Sequence, residues 1–183
     1  MSTTVATQLP TGTYTIDTAH STVGFVARHA MVTKVRGSFT EFEGNAVVAE
    51  DLAQSSASIT IKVDSINTRN EQRDGHLRSN DFFDIENHPE ISFVSTSVAP
   101  LDNGLSVTGD LTIKGTTKPV TIDFEFTGSA TDPFGNQRVG FEGSVVVNRK
   151  DWGVNWNAAL EAGGVLVSEK VTLEFDISAI KAA

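Results

Sequence analysis

Cysteine is absent from this sequence of 183 residues, which excludes a disulfide framework, a thiolate nucleophile and a cysteine-based zinc site. No apolar run approaches the ~20 residues that a membrane-spanning helix needs, so we expect no integral membrane association. Residues 1–17 contain neither the basic region nor the apolar core of a secretory signal. These absences favour a cytoplasmic protein, with prior removal of a signal as the alternative.

Basic residues are scarce relative to acidic ones: 14 lysines and arginines stand against 23 aspartates and glutamates, which gives a formal charge of −9. A surface of that sign repels nucleic-acid phosphates and anionic lipid head groups. The composition therefore predicts no nucleic-acid partner and argues against polybasic docking on a membrane. The acidity itself is typical of a soluble globular protein.

Common catalytic and nucleotide-binding motifs are also missing, including HExxH, the P-loop, GxGxxG and GxSxG. The four histidines, at positions 20, 29, 76 and 88, are not spaced to share one metal ion. We therefore predict no catalytic residues, no metal site and no cofactor.

The sequence is rich in alternating apolar and polar residues, the pattern of a strand with one buried face. The alternation runs through residues 59–64, 107–114, 122–127 and 171–178. Strands of a parallel sheet are buried on both faces, so this pattern indicates an antiparallel sheet.

So many long strands in one small domain favour closure into a barrel, because closure removes exposed sheet edges. A β-sandwich is the alternative. We assign residues 1–12 to a flexible N-terminal segment and residues 13–181 to a single domain. The predicted strands are 13–18, 22–29, 35–49, 56–66, 90–98, 105–114, 119–128, 138–149 and 165–180.

One polar segment interrupts the strands. Thr68 and Glu71 match the Ser/Thr-x-x-Glu capping box, and a short helix can follow as far as Arg78. Its thin apolar face predicts a cover over one barrel end rather than a core helix. The guanidinium groups of Arg73 and Arg78 either receive a polar head group or form local ion pairs, such as Asp74 with Arg78.

Aromatic side chains lie on the predicted strands and at their ends. Trp152 and Trp156 follow a long strand, where large aromatics either plug a barrel core or form the wall of a ligand site. The strand phenylalanines either fill a solid interior or line a hollow one. They are Phe25, Phe39, Phe93, Phe124, Phe126, Phe141 and Phe175.

Ordered sequence blocks from about residue 13 to residue 180 make the chain similar to the YceI-like family, also called the polyisoprenoid-binding or lipid-binding YceI-like domain. Each block is weak alone, and their order makes the resemblance specific. The blocks are Tyr14-Thr15-Ile16-Asp17, His20-Ser21, Val23-Gly24-Phe25, Arg73-Asp74, His76-Leu77-Arg78-Ser79, Asp81-Phe82-Phe83-Asp84, Gly109, Leu111-Thr112-Ile113-Lys114-Gly115, Thr117-Lys118-Pro119-Val120, Arg149, Asp151-Trp152-Gly153 and Gly164-Val165-Leu166-Val167.

The resemblance implies an all-β fold, an extended lipocalin-like antiparallel β-barrel with a short helix near one end. It also implies binding of a long isoprenoid chain or another amphiphile, without an established catalytic activity. Many relatives are exported behind a signal peptide, which residues 1–17 do not resemble, so the cytoplasmic expectation stands.

On this basis we expect the chain to bind, store or transport a polyisoprenoid, quinone or fatty-acid-like lipid inside the barrel. We expect its polar head near His29, Arg73 and Arg78. The predicted apolar lining consists of Phe25, Phe39, Ile59, Ile61, Phe93, Leu111, Ile113, Phe124, Phe126, Phe141, Trp152 and Trp156.

Two other functions stay open at this point. One is an enzyme that acts on a small amphiphile in the same pocket through His29 or His20 and a nearby carboxylate. The other is a solid barrel that serves protein contacts without a ligand. A homodimer is also an open alternative to a monomer, because a sheet edge beside an unclosed seam could pair with a second copy.

Overall fold

The computed structural model describes residues 9–158, 160 and 166–182. Helix α1 spans Glu71–Arg78, and short 3-10 turns occur at Leu52–Gln54, Val63–Ser65 and Arg149–Trp152. The strands are β1 (Gly12–Ile16), β2 (Thr22–His29), β3 (Thr33–Phe39), β4 (Phe42–Val48), β5 (Ser56–Lys62), β6 (Ile66–Asn67), β7 (Glu90–Leu101), β8 (Gly104–Ile113), β9 (Thr116–Thr131), β10 (Gln137–Asn148) and β11 (Lys170–Lys181).

Eight strands close into an antiparallel barrel in the order β1, β4, β5, β7, β8, β9, β10 and β11, with β11 pairing back onto β1 through Lys181 and Tyr14. The first half of β11 pairs instead with β2, where Leu173 lies opposite Phe25. Strands β2, β3 and β6 therefore extend the wall beside the closed ring. The structure confirms the predicted all-β, lipocalin-like barrel with a short helix near one end.

Three predicted strand boundaries are wrong. The strand predicted over 56–66 ends at Lys62, because Val63–Ser65 form a 3-10 turn and Ile66–Asn67 pair with β3 instead. The strand predicted over 35–49 is two strands, because the chain leaves β2 at Phe39 and joins β1 and β5 from Phe42 onward. The exposed residues Thr40 and Glu41 form the corner between them. The strand predicted over 165–180 begins at Lys170, while position 165 lies outside the described residues.

The ladder between β9 and β10 stops part-way along both strands. Its last pair joins Asp123 and Ser144. Residues 116–122 of β9 still pair with β8, and residues 145–148 of β10 still pair with β11, but these two segments do not pair with each other. The wall therefore has a gap in its hydrogen bonding toward the helix end of the barrel, where the 3-10 turn Arg149–Trp152 lies next to β9.

Helix α1 is capped by Asn70, whose side-chain oxygen accepts a hydrogen bond from the Arg73 backbone N–H at 2.9 Å. The predicted capping box starting at Thr68 is therefore wrong. Thr68 is buried and donates both its N–H and its hydroxyl to the Asp74 carboxylate, at 3.0 and 2.5 Å. Because Asp74 faces inward to Thr68, the predicted Asp74–Arg78 ion pair does not form.

An arginine joins two carboxylates at the barrel end opposite α1. Arg138 contacts Asp17 at 2.5 Å and Asp132 at 2.7 Å. Hydrogen bonds from Arg138 lower the pKa of Asp17 and lower the pKa of Asp132 from 3.8 to about 2. A carboxyl group with a lowered pKa stabilises the fold above its unfolded-state pKa, and this stabilisation is lost as the pH falls through the folded-state value.

We therefore predict that the free energy of unfolding falls as the pH drops from about 4 to about 2, and that Arg138→Gln makes this fall shallower. Chemical denaturation across that range measures both slopes. Arg36→Gln is the matched control, because the Arg36–Glu174 pair is largely exposed and contributes little. If the free energy of unfolding fell equally steeply with decreasing pH in the wild type and in Arg138→Gln, this account would be contradicted.

Candidate ligand-binding cavity

The barrel encloses a cavity of about 200 Å³ along its axis. Its wall consists of inward side chains from the barrel strands and is almost entirely apolar. An apolar cavity of roughly 150 Å³ in another protein stays dry and takes up benzene. The space is therefore suited to hydrocarbon, and the strand phenylalanines do not fill it.

Small side chains keep one side of the cavity open. Ala46 of β4 lies opposite Ala57 of β5, and both belong to the wall. Larger residues such as Phe93 and Phe124 form other parts of the wall. A pair of alanines at adjacent positions leaves room that two bulky residues would occupy.

Eight of the twelve predicted lining residues lie on the cavity wall. All eight lie on predicted strands, and five of them belong to the segments of alternating residues. They are Phe39, Ile59, Ile61, Phe93, Leu111, Ile113, Phe124 and Phe141.

The other four predicted residues lie outside the wall. The Phe25 ring packs 5.8 Å from that of Phe39, and the Phe126 ring packs 5.4 Å from that of Phe141. Trp156 contacts the rings of His76 and Phe82 at 4.7 and 5.3 Å. These residues support the wall or the barrel end.

Trp152, the fourth of these residues, plugs the helix end of the barrel. It is 3% exposed, and its indole N–H donates to the Leu111 carbonyl at 2.9 Å. The chain reaches this position because it turns inward immediately after β10. The same end is tied together by Lys114, whose ammonium lies 3.4 Å from the carbonyls of both Asn80 and Gly153.

Two wall residues come from the N-terminal part of the chain. Tyr14 is 1% exposed and donates its hydroxyl to the Pro10 carbonyl at 2.6 Å, and burial raises the pKa of this hydroxyl. Leu9 is 4% exposed, although residues 1–12 are predicted to be flexible; residues 1–8 lie outside the described part. The alternation in β1 could have identified Tyr14, whereas no pattern marks Leu9.

The three predicted head-group residues lie at the helix end and do not line the cavity. Arg73 donates to the hydroxyl and the carbonyl of Thr68 at 2.7 and 2.6 Å. Arg78 donates to the Asp64 carbonyl at 3.1 Å and forms a local ion pair with the Asp64 carboxylate at 3.2 Å. His29 pairs with Val167. Both arginines thus fasten α1 to the segment that precedes it.

Histidine and carboxylate groups meet at two places outside the cavity. His20 lies 2.7 Å from Asp17, and His76 lies 2.8 Å from Asp81. Among the described wall residues there is no histidine, carboxylate, lysine or arginine. The described part of the chain also holds no group of three or more side chains suited to a metal ion.

A closed antiparallel barrel around an apolar cavity, with a helix near one end, places this protein in the class of lipocalin-like β-barrels. A model of the YceI-like domain matches residues 14–179, and the chain belongs to the YceI-like family. The family resemblance is thereby confirmed, although Gly164 and Val165 of its last block lie outside the described residues. In the described residues, no helix has the length and apolar character to cross a bilayer.

Relatives and solved structures agree with this assignment. A UPF0312 protein of Staphylococcus aureus is 43% identical over 166 residues, which cover 88% of this chain and 93% of that protein. BcnA of Burkholderia cenocepacia matches with a TM-score of 0.78 and 27% identity, over 89% of this chain and 98% of that one. A polyisoprenoid-binding domain from Saccharophagus degradans, implicated in plant cell wall breakdown, shares the fold with a TM-score of 0.69 and 15% identity, over 92% and 98% of the two chains.

Proposed function

We propose that this protein binds a long-chain amphiphile, such as a polyisoprenoid, a quinone or a fatty-acid-like lipid, and stores or transports it with the tail inside the barrel. The observation that carries the proposal is the apolar cavity of about 200 Å³ in a barrel closed around it. The name of the Saccharophagus degradans domain, which shares the fold, adds support.

The affinity in this proposal comes from the tail. Each methylene group removed from water contributes about 0.8 kcal/mol, so a tail can bind well without a single hydrogen bond. A wall of this kind discriminates by length and width more than by chemical detail. We therefore expect several prenyl and fatty chains to compete for the same site.

The distribution of cations supports a head group at the helix end. Of the 14 lysines and arginines, only Arg138 and Lys181 lie at the end of the barrel opposite α1. The other twelve lie on α1 or on strands and loops in the helix-end part of the molecule. An acidic or phosphorylated head is favoured near such cations. His29, Arg73 and Arg78 thus stay our proposed contacts. A head group that reaches Arg73 competes with the hydroxyl and carbonyl of Thr68, and one that reaches Arg78 competes with the carbonyl and carboxylate of Asp64.

Binding without catalysis is the proposal that the cavity supports best. A general base must lie within hydrogen-bond reach of a substrate proton. Both His–Asp pairs of the described chain lie outside the wall, so neither faces a tail bound inside. The open space also weighs against a solid barrel that serves protein contacts alone.

Native mass spectrometry of the purified full chain, combined with lipid extraction, tests the proposal. We expect a bound species of lipid mass, and after delipidation we expect stoichiometric uptake of geranylgeraniol or palmitate. A ligand-free protein that takes up neither chain would refute the proposal. A prenyl probe with a photoreactive head should label the helix end, and labelling of Ser55 or Ser56 at the other end would reverse the proposed orientation.

The cytoplasmic location and the homodimer stay predictions. Cell fractionation tests the first, and sedimentation velocity at several protein concentrations tests the second.

A further inference from the structure

The hairpin between β2 and β3 ends in an exposed apolar tip at the helix end of the barrel. Met31 is 63% exposed and Val32 is 76% exposed, although both are large apolar residues. Adjacent exposed residues of this kind at a protruding turn mark a contact surface more often than isolated ones do. Because neither side chain is buried, the exposure of Met31 and Val32 is not explained by packing within the fold.

The backbone at the tip is strained. Ala30 and Met31 both have positive φ, at 51° and 63°, and the Val32 N–H donates to the His29 carbonyl at 3.0 Å. Three residues, Ala30 to Val32, connect the paired His29 and Thr33, and two of them adopt the left-handed conformation that glycine and asparagine reach at lower steric cost. An alanine and a methionine in these positions bring no gain in burial, so their presence is consistent with a role outside the fold.

Hydrogen bonds hold the base of the hairpin rigidly against the neighbouring segment. The Ala30 N–H donates to the Leu166 carbonyl at 2.7 Å. The Arg28 N–H donates to the Ser168 hydroxyl at 2.8 Å, and the Ser168 N–H donates back to the Arg28 carbonyl at 3.0 Å. The tip is thus presented in a fixed position, with Met31 and Val32 at its outermost point.

Two cations flank the apolar tip. Arg28 and Lys34 lie opposite each other on the hairpin, and both are exposed. The Arg28 guanidinium donates to the Val32 carbonyl at 3.2 Å, which places its charge at the tip itself. In the described part of the chain neither cation takes part in an ion pair, whereas Arg36, one step further from the tip, contacts Glu174 at 3.0 Å.

The formal charge of −9 belongs to the whole chain and is not spread evenly over the surface around the β2–β3 tip. Most lysines and arginines lie on the helix side together with carboxylates such as Glu71, Asp84 and Glu169, so the negative excess on this side is smaller than on the rest of the barrel. At physiological salt, charges further apart than ~8 Å are largely screened from each other in solvent. A surface that meets the hairpin first therefore meets Arg28 and Lys34.

We propose that the β2–β3 tip docks on an anionic lipid bilayer. Met31 and Val32 enter the boundary between head groups and acyl chains, and Arg28 and Lys34 pair with lipid phosphates above them. The apolar pair supplies buried apolar area and the flanking cations supply attraction to anionic lipids, which are the two contributions to interfacial binding. The helix end of the barrel then faces the membrane. The proposal goes beyond ligand binding, and its test needs no bound cargo.

Vesicle flotation with the purified full chain tests the docking. We expect binding to vesicles of equimolar phosphatidylglycerol and phosphatidylcholine, and much weaker binding to phosphatidylcholine alone. Replacing both Met31→Ser and Val32→Ser should lower the partition coefficient about tenfold or more, since the apolar contact is lost. Replacing both Arg28→Gln and Lys34→Gln should lower it about fivefold per cation removed.

Phe134→Ser is the matched control, because Phe134 is 88% exposed at a hairpin tip on the opposite end of the barrel. We expect it to bind anionic vesicles like the wild type, and circular dichroism should show that all variants keep the fold. Absence of wild-type binding to anionic vesicles, or binding that the tip substitutions leave unchanged, would overturn the proposal. So would a tip-dependent dimer that forms in place of vesicle binding.

Discussion

Ala46→Phe should weaken the binding of a prenyl or fatty chain by about a thousandfold while the barrel still folds. Ala46 belongs to the cavity wall, and a phenyl ring there takes up much of the space of about 200 Å³. If the ring displaces about five methylene groups of the tail, the loss is ~4 kcal/mol at about 0.8 kcal/mol each. Isothermal titration with a soluble short-chain prenyl alcohol measures the change.

Ala99→Phe is the matched control for this experiment, since it makes the same substitution at an exposed position on the outer face of β7. We expect its affinity to equal that of the wild type. If Ala46→Phe also bound the chain with unchanged affinity, the cavity would not be the site of the tail.

Trp152→Ala should give the largest loss of stability, about 4 kcal/mol, which lowers the Tm by roughly 8–16 °C for a chain of this size. Trp152 is 3% exposed, and its removal leaves a large hole at the helix end. It also leaves the Leu111 carbonyl without its indole donor. Differential scanning calorimetry measures the shift in Tm.

Trp156→Ala provides the comparison, because the second tryptophan is only partly buried against His76 and Phe82. We expect it to lower the Tm by well under half as much. Equal shifts for the two variants would mean that Trp152 does not plug the barrel.

Alternation predicted the strands and their inward faces well because burial on one side is a local property of a strand. The break between β3 and β4 is also encoded in the alternation. Phe39 is the last inward residue of β3 and Phe42 is the first of β4. Their separation of three residues reverses the phase of the alternation, which indicates that the chain turns between them.

The position of a residue along the barrel axis is not a local property. Phe126 alternates in phase with Phe124, yet it is absent from the cavity wall and packs against Phe141. Phe25 faces inward from β2, which lies beside the closed ring. Such depth depends on the stagger of neighbouring strands, which no single segment specifies.

The N-cap of α1 and the cavity could not be predicted from local sequence, because both depend on contacts between separate segments. Thr68 and Asn70 are both good capping residues, and the choice of Asn70 follows from the contact that Thr68 makes with Asp74. Likewise, the cavity depends on Ala46 and Ala57 meeting across two strands. The resemblance to the family, and not the periodicity, implied that the barrel is hollow.

The missing ladder between residues 116–122 of β9 and 145–148 of β10 has a mechanical consequence. Where two strands of the ring are paired, moving them apart breaks main-chain hydrogen bonds, whose loss is costly when no water replaces them. At this gap the two segments can separate without that loss, because no such bonds join them. The circumference of the barrel can therefore change at this place, toward the helix end, without breaking main-chain hydrogen bonds between β9 and β10.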